Sequence, residues 1–150
     1  MESIATIGYE AATVRSFLDA LRDERVDLLV DVRAVASSRR PGFAKTRLAA
    51  NLAEAGVEYL HLRSLGTPAD GRAAARSGRH DEMRRIYLEH LATPDAQAGL
   101  ETLAALVRSG RRVCLLCLEA DPAHCHRSMV ATALASRTPV RVVHLIPRDD

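Results

Sequence analysis

Cys117-Leu118-Glu119-Ala120-Asp121-Pro122-Ala123-His124-Cys125-His126-Arg127-Ser128 gathers thiols, carboxylates, imidazoles and a guanidinium in one short stretch. These residue types support three chemistries. A thiolate from Cys117 or Cys125 can act as a nucleophile, with His126 and Glu119 moving protons. Arg127 and the amides of a helix start can hold an anion. Two thiols and imidazoles can also hold a metal. The adjacency of His124, Cys125 and His126 is poor geometry for converging on one ion, and no second Cys-x-x-Cys exists. The expectation is therefore that the site holds no metal and no cofactor. Cys117 on its own reads as a small buried hydrophobe, and its neighbours bring the nucleophile reading level with that one. Cys114, three residues earlier in a strand, faces the opposite side and reads as core filling.

A second group of charges ends another apolar run. Asp31 and Arg33 close Leu28-Leu29-Val30-Asp31-Val32-Arg33. A charge inside such a run needs a partner. Asp31 reads as a structural partner for an arginine, as a carboxylate facing substrate beside Glu119, or as both. Arg39, Arg40, Arg63, Arg72, Arg76 and Arg79 fall in two polar stretches that follow strands. In a parallel sheet both stretches rise on the edge that carries Cys117. That placement points to an anionic substrate or a nucleic-acid backbone, although solvated loop charge explains any single arginine.

These residues need a frame that brings strand ends together. Ser3–Ile7 reads as a strand ending at Gly8. Thr13 is an N-cap for a helix from Val14 to about Arg25. Asp27–Val32 is apolar on both faces, the pattern of a central parallel strand. Ala44–Ala55 reads as a helix stopped by Gly56, and Val57–Leu60 as a strand. His61–Arg79 reads as a long irregular loop of the functional kind. Asp81–Leu91 and Pro94–Ser109 read as helices, the second capped by Thr93 with proline at its first position. Arg111–Leu118 is a strand, Ala123–Arg137 a helix and Val140–His144 the last strand. This alternation specifies an α/β fold: one three-layer α/β/α sandwich over residues 1–150, Rossmann-like, with a mostly parallel sheet of about five strands. Ligands bind at the carboxyl ends of such strands, where Cys117 lies.

Bulk properties exclude several classes. The chain has 150 residues, 47% hydrophobic and 27% charged, ordinary values for one globular domain. Net charge is +2, and aromatic residues make up only 3% with no tryptophan, which argues against base stacking on aromatic platforms. Lys45 is the sole lysine. The arginine bias fits either GC-rich coding or a preference for planar oxyanions. Three cysteines make no disulfide framework. No signal peptide or membrane span is read from the chain, so the expected location is the cytoplasm. The Leu/Ala-rich helical faces suit the core or a homodimer equally.

Five motifs occur in order: Thr6-Ile7-Gly8-Tyr9; Leu29-Val30-Asp31-Val32-Arg33; Ser38-Arg39-Arg40-Pro41-Gly42-Phe43; Leu65-Gly66-Thr67-Pro68; and Leu116-Cys117-Leu118-Glu119 with Cys125-His126-Arg127. Together they resemble the domain of unknown function 488 (DUF488) family across essentially the whole chain. The resemblance implies hallmark positions at Gly8, Tyr9, Asp31, Arg33, Ser38, Phe43, Gly66, Cys117, Glu119, Cys125, His126 and Arg127. Relatives often carry proline two residues before Ser38, where this chain has Ala36. Leu29–Arg33 is also similar to a rhodanese strand, but the compact rhodanese cysteine loop is absent.

The expected function is an enzyme, a Cys-dependent hydrolase or transferase, acting on a phosphate-bearing or other anionic substrate such as a nucleotide or nucleic acid. Cys117, Glu119, Cys125, His126 and Asp31 are the candidate catalytic residues. Gly8, Tyr9, Arg33, Ser38, Arg39, Phe43, Gly66 and Arg127 are the candidate anion-binding residues. Two alternatives stay open: a non-catalytic module that binds an anion or nucleic acid, and a metal-binding protein.

Overall fold

The run Val113-Cys114-Leu115-Leu116-Cys117 is buried at every position because it forms the middle strand of a five-stranded sheet. The computed structural model describes residues 2–122 and 125–148. Strands β1 (Glu2–Gly8), β2 (Leu28–Asp31), β3 (Glu58–His61), β4 (Val113–Cys117) and β5 (Val140–Leu145) lie in the order β3-β2-β4-β1-β5. Every pairing is parallel. The helices among the described residues are α1 (Val14–Asp23), α2 (Lys45–Glu54), α3 (Ala69–Arg76), α4 (His80–Leu91), α5 (Pro94–Arg108) and α6 (His126–Ala135).

The pleat of β4 divides the core in two. Cys114 and Leu116 pack with Phe17 and Leu21 of α1 and Leu48 and Leu52 of α2. Val113 and Leu115 pack on the other face with Met83 and Tyr87 of α4, Leu100 and Leu103 of α5, and Val130 and Leu134 of α6. This is the three-layer sandwich read from the strand–helix alternation, and Cys114 is core filling as its spacing requires. No described helix is long and apolar enough to cross a membrane.

Local signals account for the element ends. Thr13 accepts from Ser16 N–H at 3.0 Å, and Ser16 Oγ returns the favour to Thr13 N–H at 3.0 Å, a reciprocal cap for α1. Thr93 caps α5 with Pro94 behind it. Gly56 follows α2 at φ +76°, a conformation that favours glycine.

Two expectations need correction. His61–Arg79 is not one irregular loop: it holds a 3-10 turn at Arg63–Leu65 and helix α3. Gly71 sits inside α3, where a glycine costs about 1 kcal/mol of helix propensity and weakens the helical pattern. Packing explains its presence, since a Cβ there would meet Thr67 Cγ2 at 2.6 Å and Ile86 Cγ2 of α4 at 3.3 Å. The last helix begins at His126, after Cys125 adopts an extended N-cap conformation (φ −128°, ψ 148°). The expected start at Ala123, together with His124, lies outside the described residues.

The end of β2 is locked by a buried ion pair. Asp31 Oδ1 accepts from Arg33 Nε at 2.9 Å and from Arg33 N–H at 3.0 Å, and Oδ2 accepts from Arg33 Nη2 at 2.7 Å. Tyr59 of β3 adds its hydroxyl to Oδ2 at 2.6 Å. Arg33 Nη1 donates to the Phe43 carbonyl at 2.8 Å and to the Tyr9 hydroxyl at 3.3 Å. Asp31 is fully buried and Arg33 nearly so. Burial opposes the Arg33 charge, but its bonds to Asp31 and Tyr9 outweigh that and raise its pKa. Breaking a buried pair from one side strands the other charge. Asp31→Asn is therefore expected to lower stability by about 3–5 kcal/mol in urea unfolding; a loss below about 1 kcal/mol, the range of an exposed pair, would contradict the structural role.

Candidate active site

Gly8 and Cys117 are register partners at the carboxyl ends of β1 and β4. The two chains continue side by side, with Tyr9 N–H on the Cys117 carbonyl at 3.3 Å and Glu10 N–H on the Leu118 carbonyl at 2.8 Å. Gly8 is required here, because a Cβ would collide with the Glu119 carbonyl and approach Arg127 Nη1 at 2.9 Å. Gly66 makes a similar close approach to the Ala34 backbone. These two contacts bring the loop after β4 onto the end of β1 and the loop after β2 onto the turn after β3.

Cys117 shares the β4 face of Val113 and Leu115, so its thiol meets α4 and α6. Its Sγ lies 3.4 Å from His126 Nδ1 and 3.4 Å from Glu119 Oε2. Cys125 Sγ lies 3.8 Å from the same nitrogen. The other His126 nitrogen, Nε2, donates to the Val32 carbonyl at 2.6 Å. A backbone carbonyl only accepts, so the proton belongs on Nε2 and the neutral ring turns the lone pair of Nδ1 toward both thiols. Tyr87 of α4 backs the ring, with centroids 5.0 Å apart, and anchors its own hydroxyl on the Leu65 carbonyl at 2.6 Å. Burial by itself would lower the His126 pKa. Cys125, the Val32 carbonyl and Glu119 together outweigh it and raise the pKa.

The thiols differ in access. Cys117 and His126 form part of the wall of a cavity of about 460 Å³, whereas Cys125 is buried and does not line it. Tyr9, Glu10, Arg33, Thr67, Glu119 and Asp121 also line it, and α3 contributes Arg72 and Arg76. Val35 and Leu118, both exposed, line it as well. Burial pushes the Cys114 thiol up, and burial with the neighbouring Cys117 does the same to Cys125.

The sequence-derived residues divide sharply. Cys117, Glu119, Cys125 and His126 come together. Asp31 does not join them; it is spent on Arg33 and Tyr59. Arg33 reaches the cavity wall, but its guanidinium bonds Asp31, Tyr9 and the Phe43 carbonyl. Arg127 is fully buried and directs Nη1 to the Glu119 carbonyl and Nη2 to the Ala120 carbonyl, so it braces the loop and does not wall the cavity. Phe43 is buried, stacked on Tyr9 at 4.8 Å. Ser38 Oγ accepts from Arg40 N–H at 3.1 Å, and Arg39 is exposed; neither lines the cavity.

Cys125 and His126 converge on one point although they are adjacent in sequence. An extended Cys125 followed by a helical His126 turns adjacent side chains to the same point, and with Cys117 their donor atoms lie within 4.8 Å of one another. His124 falls outside the described residues. Sequence reasoning also missed the Val32 carbonyl and the Tyr87 ring. A backbone acceptor leaves no sequence signal, and Tyr87 reads as ordinary core spacing on α4.

These differences in burial predict a reactivity order. A raised thiol pKa keeps the thiol protonated and slow to alkylate at neutral pH. Iodoacetamide is expected to modify Cys117 of the folded protein at neutral pH and to leave Cys114 and Cys125 intact until the pH rises well above 9 or the chain unfolds. Peptide mass spectrometry reads the sites; Cys114 reacting as fast as Cys117 would contradict the burial argument.

Comparison with known proteins adds the family. No curated protein and no solved structure matches the chain. A family model described as a domain of unknown function, DUF488, matches residues 13–134, a span that carries β2, β4, all but the last residue of α6 and the Cys117/Cys125/His126 cluster. The chain belongs to the DUF488 family.

Proposed function

We propose that this protein is a thiol-dependent hydrolase or transferase acting on an anionic substrate, with Cys117 as its nucleophile. The observation that carries the reading is the Cys117–His126 contact of 3.4 Å, in which the acceptor nitrogen is selected by the Val32 carbonyl. A nucleophile within reach of a base that a third group orients is the recurring arrangement of covalent catalysis. Cys117 is preferred over Cys125 because only Cys117 lines the cavity.

The Cys117 proton passes to His126 Nδ1. Sγ bonds to the electrophilic phosphorus or carbonyl carbon of the substrate, and the bond to the leaving group breaks. The leaving group takes the proton from His126. Water then attacks the covalent intermediate as Glu119 accepts its proton; the bond to Sγ breaks, and Glu119 returns the proton to the departing sulfur to restore the thiol; an acceptor other than water makes the reaction a transfer. Glu119 is suited to this role because it is partly exposed and its Oε2 stands 3.4 Å from Sγ.

The anion specificity is assigned to Arg72 and Arg76. They are one helical turn apart on α3 and both line the cavity. Arg33 and Arg127 support the walls through protein acceptors.

Alkylation of Cys117 by two reagents tests both parts. Iodoacetate is anionic and iodoacetamide is neutral. The Arg72→Ala/Arg76→Ala variant is expected to react about tenfold more slowly with iodoacetate, the lower end of electrostatic enrichment in a charged cleft, and at an unchanged rate with iodoacetamide. His126→Gln is expected to slow both. Equal rates for wild type and His126→Gln would overturn the nucleophile, and an unchanged iodoacetate rate in the arginine variant would overturn the anion specificity.

A further inference from the structure

The reading above uses one thiol of a pair and leaves Cys125 without a task. Cys125 is 2% exposed, does not line the cavity, and still brings its Sγ to 3.8 Å from the nitrogen that faces Cys117. A second thiol aimed at the same lone pair adds nothing to proton transfer.

The geometry points to a metal site. Tetrahedral zinc, with Zn–S near 2.3 Å and Zn–N near 2.0–2.1 Å, sets neighbouring sulfur and nitrogen donors about 3.5 Å apart. The two sulfur–nitrogen separations here are 3.4 and 3.8 Å. The two sulfurs fall within the 4.8 Å span of the cluster, against about 3.8 Å for two sulfurs on one tetrahedral zinc. Three corners of a coordination tetrahedron therefore stand close to their places. Two thiolates and an imidazole form a donor set that selects zinc over magnesium or calcium. The Nε2–H bond to the Val32 carbonyl fixes the tautomer that leaves Nδ1 free to coordinate, as metal-binding histidines require.

We propose that Cys117, Cys125 and His126 bind Zn²⁺, with a fourth position open to the cavity. Cys117 and His126 line that cavity, so an ion enters from it, and Glu119 Oε2 lies 3.4 Å from Cys117 Sγ. Zinc takes the Sγ lone pairs that a nucleophile needs. The loaded and nucleophilic states of Cys117 exclude each other, and zinc binding does not depend on the thiol reading being correct.

Co²⁺ serves as the spectroscopic probe on the full-length, fully reduced protein. One equivalent of Co²⁺ is expected to produce thiolate-to-cobalt charge transfer and the intense visible bands of tetrahedral cobalt. Zn²⁺ is expected to erase both bands and to block alkylation of Cys117. Removing a group that merely supports a metal ligand costs about 10–100-fold in affinity, so loss of a ligand in Cys125→Ser is expected to weaken Co²⁺ binding by at least 100-fold. If that variant does not fold, Cys117→Ser is read the same way, and zinc protection of the wild-type thiol stands as the independent readout. Absence of the charge-transfer band, or no zinc protection of Cys117, would overturn the site. Cobalt binding with a Cys117 that alkylates no faster than in His126→Gln would leave the metal site standing and sink the nucleophile; a fast Cys117 with no cobalt spectrum would do the reverse.

Discussion

The bond from His126 Nε2–H to the Val32 carbonyl, 2.6 Å long, is the constraint on which the rest of the cluster depends. It joins α6 to the end of β2 across the sheet and decides which ring nitrogen faces the thiols. Its acceptor is held from both sides. Val32 N–H donates to the Leu116 carbonyl of β4 at 3.2 Å. On either side of Val32, Asp31 and Arg33 close a buried ion pair through three hydrogen bonds. The ion pair thus acts on the site by position. It need not touch a substrate to matter, because it fixes the peptide that orients the histidine.

The charged groups around the cavity fall into two kinds. Arg33 and Arg127 are buried and face protein acceptors, so they stiffen the walls. Arg127, near the start of α6, turns its guanidinium back to the carbonyls of Glu119 and Ala120. Arg72 and Arg76 come from α3 and line the cavity, and Arg72 donates to the Thr67 carbonyl at 2.9 Å. Carboxylates of Glu10, Glu119 and Asp121 occupy the strand-end side. Positive charge from α3 and negative charge near the thiol therefore line the same cavity.

Periodicity and caps made the frame legible. The doubly apolar runs Leu28–Val32 and Val113–Leu116 declared the central strands, and Thr13, Thr93 and Pro94 declared helix starts. The placement of Cys117, Glu119, Cys125 and His126 at one strand end followed from that frame. The rest was hidden for physical reasons. Helix α3 carries Gly71 for close packing on Ile86, and that glycine breaks the local helical pattern. Burial of an arginine is set by the acceptors that tertiary contacts supply, so Arg33 and Arg127 looked like ligand clamps until their partners were known. The convergence of Cys125 and His126 depends on the change from extended to helical backbone between them, which residue types alone do not specify.

The most direct test of the account is the tautomer of His126, read by long-range ¹H–¹⁵N correlation NMR on the ¹⁵N-labelled, metal-free, reduced protein. The account predicts that the neutral ring carries its proton on Nε2 and that its Nδ1 resonance, the unprotonated one, responds to alkylation of Cys117. A neutral ring protonated on Nδ1 would leave neither a base for the Cys117 thiol nor a donor for a metal, and would contradict both.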